Sequence, residues 1–269
     1  MDRVRKIRNV LHHRQAQRQN KRMKKPAGFL NLYGHVMQEL GRRIVSGEVK
    51  PGEILPREEI LAESLHVSRT ALREAMKVLS AKGLIESRAG VGARVLEPRL
   101  WNQLDADVLS WRCASMPTDD FVDKLVEMRE IIEPSAAASA ARRRTPEQLE
   151  NIEMGYRAME AAQTLDEWAE ADLLFHDAVL QATCNELLQS LFSVIQTSLG
   201  TFFLLSARTA SNFKYSLPHH KRVLDAIRLR RPEAARKAML AMIADSLANL
   251  QSARVHLQKA ALLKSGASL

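Results

Sequence analysis

The chain has 269 residues and a mass of 30.3 kDa, which fits one large domain or two ordinary ones. A hydrophobic fraction of 46% can fill a core and excludes wholesale disorder, while two cysteines, Cys113 and Cys184, exclude a disulfide scaffold and a C-x-x-C zinc motif and suit a reducing compartment such as the cytoplasm. Of the 40 Lys/Arg and 31 Asp/Glu that give a net charge of +9, ten basic residues and one acid (Asp2) fall within residues 1–25, so the remaining chain is neutral and the basic character belongs to a tail.

Residues 1–29 read as a basic flexible tail. It lacks the apolar segment and small-residue cleavage site of a secretion signal. A block of like charges stays solvated or serves as a nucleic-acid-binding arm, and Met23 offers a second start that would leave 1–22 upstream of the protein.

Residues 30–97 read as a small domain. Leu32, Val36, Leu40 and Ile44 recur every four residues and predict a helix over 32–45, closed by Ser46-Gly47 and the Pro51-Gly52 turn. A second helix is expected from Arg57 to Leu65 with Ile60, Leu61 and Leu65 inward, and a third from Arg69 to Lys82 with Ser68 as its N-cap and Gly83 as its stop. Residues 84–88 and 93–96 then read as two strands joined through Ala89-Gly90-Val91-Gly92. Three helices followed by a β-hairpin is the order of a winged helix-turn-helix.

Residues 98–117 read as a linker, 118–260 as an all-helical bundle and 261–269 as a flexible C-terminus. Helices are expected near 119–143, 146–162, 165–183, 186–208, 218–230 and 232–260, with Pro146 and Pro232 at first turns, each followed by an acid that suits the helix dipole. Leu187–Ala207 carries no charge and is long enough to test as a membrane span. Its large side chains Leu188, Phe192, Ile195, Leu199 and Phe202 form a one-sided seam among Ser, Thr and Gln, which predicts a helix buried in a bundle or against a second subunit, not a membrane helix. The fold class is thus mainly α: a winged head followed by a helical bundle.

Two constellations carry chemistry. In the third helix Arg69, Arg73 and Lys77 share one face while Leu72, Met76 and Leu79 share another, so an apolar back and a basic front suit a helix that enters the major groove. Gly90 and Gly92 would let the hairpin backbone approach phosphate. In the bundle, Asp172 and His176 stand at i and i+4 and can share a metal or a hydrogen bond, and His219-His220 opens a later helix. Arg129 lies on an otherwise apolar face, where a guanidinium needs an anion: Glu133 one turn on, or the carboxylate of a ligand.

The run Pro51-Gly52-Glu53-Ile54-Leu55-Pro56, Leu61-Ala62-Glu63, Val67-Ser68-Arg69-Thr70-Ala71-Leu72-Arg73-Glu74-Ala75, Gly83-Leu84-Ile85-Glu86 and Gly90-Val91-Gly92 resembles the DNA-binding domain of GntR-family transcriptional regulators. The resemblance implies operator contacts from Arg69, Arg73 and the wing at Gly90 and Gly92; Ser68, Thr70 and Lys77 of the same reading helix and Arg57 before the second helix are further candidates. One departure is that Glu59 stands where the family's second helix carries a DNA-contacting arginine. Residues 119–250, through Arg129, Asp172-x3-His176, Asn185 and His220-Lys221-Arg222-Val223-Leu224-Asp225, resemble the effector domain of the FadR/FCD subgroup. That resemblance implies a divalent metal (zinc, nickel or manganese) on Asp172, His176 and His220, an effector contacting Arg129, Asp172, His176, His220 and Met242, and a homodimer. The fourth ligand position falls on Met242, a poor ligand for such ions, which leaves open an ion held by three protein ligands or a site that has given it up.

Trp101-Asn102-Gln103-Leu104-Asp105-Ala106-Asp107-Val108-Leu109 with Trp111 resembles the segment joining the two domains in sugar-acid-responsive members. The resemblance implies a repressor of a carbohydrate or sugar-acid operon, released from a palindromic operator by a small carboxylate. A metal-dependent hydrolase would use the same Asp172, His176 and His220, but the chain has no nucleophile motif, no phosphate-binding glycine loop and no H-E-x-x-H. A ligand-free helical interaction module is the other alternative. Neither explains the basic reading helix.

Overall fold

The computed structural model describes residues 27–88, 92–115, 119–206 and 214–266, and divides after Trp101 into two compact units. Residues 1–26, 89–91 with Gly90, 116–118, 207–213 and 267–269 lie outside the described residues.

The first unit holds α1 (Ala27–Val45), α2 (Glu58–Ser64), α3 (Arg69–Ala81) and an antiparallel pair, β1 (Ile85–Arg88) and β2 (Gly92–Val95), in a register that opposes Ile85 to Val95 and Arg88 to Gly92. Val36, Leu40 and Ile44 of α1 are buried with Leu72, Ala75 and Leu79 of α3, as the four-residue spacing requires. α1 begins earlier than its apolar spacing indicates. Ser68 caps α3 by accepting from Ala71 N at 3.2 Å. Gly83 ends the helix at φ +75°, where a Cβ would lie 2.5 Å from the Leu100 carbonyl oxygen, so both conformation and space demand glycine. The outer edge of β2 is covered by the chain at 53–55, through Leu55 N to Ala93 O at 2.8 Å and Val95 N to Glu53 O at 2.9 Å. The inward assignment of Ile60 is corrected. α2 has only two turns, Leu61 and Ala62 face the core, and Ile60, about 100° round the helix, is exposed.

The second unit is wholly helical among its described residues: α4 (Ala106–Ala114), α5 (Asp119–Arg143), α6 (Pro146–Ala161), α7 (Leu165–Gln181), α8 (Glu186–Gln189), α9 (Phe192–Ser206), α10 (Leu217–Arg228) and α11 (Pro232–Gly266). The alanine-rich end of α5 buries Ala136, Ala137, Ala138, Ala140 and Ala141, which lets α11 lie close along it. α6 and α7 lie close together at Gly155, where a Cβ would sit 2.8 Å from Phe175 Cα. Thr145 and Gln148 form a capping box at α6, and Thr164 caps α7. At the far ends of α5 and α10 two arginines close each other's helices. Arg144 Nη2 donates to Arg228 O at 2.8 Å, and Arg230 donates to Arg142 O and Arg144 O at 3.0 and 3.2 Å.

The single helix expected over 186–208 is two. Asn185 caps α8 through Leu187 N and Leu188 N, and Ser190 Oγ donates to Leu187 O. Leu191 N and Val194 N then bond three residues back, to Leu188 O and Leu191 O, so the α ladder is interrupted. Within the unit, Ile195 and Leu199 of the apolar seam pack on Ile132 and Leu180. No helix among the described residues is long and apolar enough to cross a membrane.

Candidate functional site

In the first unit α3 presents Ser68, Arg69, Thr70, Arg73 and Lys77 on its exposed side, and Arg57 is exposed just before α2. The basic groups do not stand alone. Arg73 Nε donates to Glu58 Oε2 at 2.6 Å, Arg69 Nη1 lies 3.3 Å from Glu59 Oε1, and Lys77 Nζ lies 3.0 Å from Glu74 Oε1. Gly92 is exposed at φ +109°, a backbone state that glycine enters freely.

In the second unit Arg129, Glu133, Asp172, His176 and His220 form one buried cluster. α5 supplies Arg129 and Glu133 one turn apart, joined by Nε to Oε1 at 2.5 Å. α7 supplies Asp172 and His176 one turn apart, and α10 supplies His220 from its first turn. Glu133 Oε2 lies 2.5 Å from His176 Nδ1, which turns His176 Nε2 toward Asp172 Oδ2 at 3.9 Å. His220 Nδ1 bonds Ser216 O at 2.9 Å, and its Nε2 lies 2.9 Å from Asp172 Oδ1. The two imidazoles meet edge to face at 5.6 Å, and Phe175 and Trp168 pack on His220 at 5.1 and 6.1 Å between centroids.

These surroundings set the charges. Burial pushes the Glu133 carboxyl up, but Arg129 and His176 outweigh it and hold the group down at about 2. Burial likewise opposes ionisation of Asp172, yet contact with His220 and the nearby His176 and Arg129 hold it below the ordinary carboxylate value. Both carboxyls are thus drawn toward the ionised form by the cationic and N–H groups around them.

One oxygen of Asp172 and one nitrogen of each histidine lie within 4.8 Å of one another, as a shared cation requires. Buried Asp172 Oδ2 and His220 Nε2 have no aligned hydrogen-bond partner among the described residues, although His220 Nε2 lies close to Asp172 Oδ1. The outer acceptors Glu133 and Ser216 O fix the ring orientations, the arrangement that aims imidazole nitrogens at a metal. Glu133, read from sequence only as a candidate partner of Arg129, thus also orients His176. Ser216 could not be found from sequence, because it acts through its carbonyl. Tyr215, the neighbour of Ser216, is 39% exposed, and the burial of the rest of it raises its phenol, whose hydroxyl meets Ser246. Met242 is buried in the apolar core with Trp168, Phe175 and Ile243.

Comparisons with known proteins agree with both units. Residues 32–95 match the bacterial regulatory proteins of the gntR family, and residues 124–245 match the FCD domain. The chain is 37% identical over 227 residues to the galactonate operon transcriptional repressor of Escherichia coli K12, covering 82% of this chain and 98% of that protein. It is 34% identical over 206 residues to the HTH-type transcriptional regulator LutR of Bacillus subtilis, covering 74% and 91%, and 31% identical over 217 residues to the Glc operon transcriptional activator of Escherichia coli K12, covering 76% and 82%. Among solved structures, Lar of Listeria monocytogenes has the same fold, with a TM-score of 0.56 at 23% identity over 86% of this chain and 99% of that one. The chain therefore belongs to the GntR family, in the subgroup that carries an FCD domain, and is a DNA-binding transcriptional regulator rather than an enzyme.

Proposed function

We propose that this regulator is a repressor of a sugar-acid catabolic operon, released from a palindromic operator when a small hydroxylated carboxylate enters the second unit, and that a divalent ion on Asp172, His176 and His220 is part of that site. The observation that carries the reading is His220. Its Nδ1 faces a carbonyl, which only accepts, so Nδ1 carries a proton. In a ring protonated there alone, as metal ligation requires, Nε2 turns a lone pair toward an Asp172 oxygen 2.9 Å away, and a shared cation would relieve that contact.

Charge supports a carboxylate as the effector. With both imidazoles neutral, as metal ligation requires, a divalent ion beside two carboxylates and one guanidinium would leave one positive charge, which a single carboxylate would cancel. The ion, when bound, supplies open coordination positions to an acid and its neighbouring hydroxyl. Asp172, His176 and His220 hold the site, Glu133 and Ser216 O orient the rings, and Arg129 favours the anion. The relative that governs a galactonate operon makes galactonate the first acid to test. A second reading has His220 doubly protonated and paired directly with Asp172, so that both bind effector hydroxyls without an ion. The same 2.9 Å approach favours it. The DNA-bound form is a homodimer in the cytoplasm, because two heads related by a two-fold axis read the two halves of a palindrome.

The test uses a duplex selected by the protein from a randomised library and followed by fluorescence anisotropy. D-galactonate or another aldonate should release the duplex from the wild type but not from Asp172→Asn. Retention of the duplex at saturating concentrations of every aldonate would contradict the proposal.

A further inference from the structure

The acids of α2 offer a feature that neither the fold nor the groove-entering helix requires. Glu58 and Glu59 stand in the first turn of α2, where a negative charge suits the helix dipole. Their carboxylates reach instead to α3, Glu58 to Arg73 Nε at 2.6 Å and Glu59 to Arg69 Nη1 at 3.3 Å. All four side chains are well exposed, and exposed pairs add little stability. Their effect must be sought in what the arginines do next.

Binding to random DNA rests on neutralising phosphates and releasing counterions. A guanidinium already paired with a carboxylate releases fewer counterions, and the carboxylate itself repels the backbone. Reading a base edge differs, because there a planar guanidinium must present two N–H groups in a fixed direction. A carboxylate behind Arg69 or Arg73 takes up one side of the fork and restricts its rotation while leaving the remaining N–H groups for a guanine edge. The same pairing thus weakens phosphate contacts and preorganises base contacts.

We infer that Glu58 and Glu59 form a specificity filter on the reading helix, lowering affinity for random DNA more than affinity for the operator. The inference rests on the reading that α3 enters the major groove.

The filter is tested with Glu58→Gln, Glu59→Gln and the double variant. Each is measured on the library-selected duplex and on a random-sequence duplex of equal length, across a series of salt concentrations. The double variant should bind the random duplex about tenfold more tightly near physiological salt, with a log–log salt slope steeper by about one to two. Its affinity for the selected duplex should stay within about threefold, and each single variant should fall between it and the wild type. A gain in random binding cannot come from misfolding. An equal rise on both duplexes, or no rise on the random one, would overturn the filter. The groove-entry reading fails separately, if Arg69→Ala and Arg73→Ala both keep wild-type affinity for the selected duplex. If those two lose binding while the glutamine variants keep the wild-type ratio, the filter alone is wrong.

Discussion

In the first unit Arg69 and Arg73 are each 62% exposed, and their partners Glu59 and Glu58 are 54% and 42% exposed. In the second unit Arg129, Glu133, Asp172, His176 and His220 are all at 3% exposure or less. Water screens the first set of charges, so they can exchange a protein partner for DNA at small cost. The second set has no water to fall back on, so each charge depends on its neighbours or on a ligand. Substitutions of charged side chains in the two units should therefore separate: those of the exposed arginines and their partners should change binding without changing stability, and those in the cluster should change both.

The largest expected effect is at Glu133. Glu133→Ala would remove the buried carboxylate paired with both Arg129 and His176 and should destabilise the protein by about 3–5 kcal/mol in denaturant titrations, whereas Glu58→Gln should change stability by about 0.5 kcal/mol or less. Similar small changes in both would break the comparison. Next is Gly155→Ala, which forces a methyl against the Phe175 backbone beneath the histidines and should cost about 1–3 kcal/mol of stability. Arg73→Ala should lose about 1–3 kcal/mol of affinity for the selected duplex, with an unchanged thermal midpoint. Ser68→Ala, by removing the α3 cap, should cost about 1 kcal/mol of stability, unlike substitution of the exposed charges on the same helix.

The winged head was legible because local signals agree there. The α1 spacing, the Ser68 cap, the Gly83 stop and the hairpin all point to one structure. The i, i+4 spacing of Asp172 and His176 likewise placed two ligands on one turn, and the resemblance supplied His220. Less of the rest was legible, for reasons that differ by residue. The break between α8 and α9 depends on side-chain and three-residue backbone bonds that leave the apolar seam intact, so periodicity could not show it. Ile60 is apolar but lies on the wrong side of a two-turn helix, where composition alone misleads. Ser216 orients His220 through its carbonyl, which every residue has. The pairing of Glu58 and Glu59 with α3 joins two helices across a turn, and no spacing rule within one helix reaches it.

The most direct test of the account is calorimetric titration of D-galactonate and related aldonates into protein stripped by a chelator, and then into the same protein after adding back zinc, nickel or manganese. The account predicts little or no heat from the stripped protein. It predicts saturable binding once the ion is restored, with binding lost in Asp172→Asn. Equal binding with and without the ion, or no aldonate binding in either state, would contradict it.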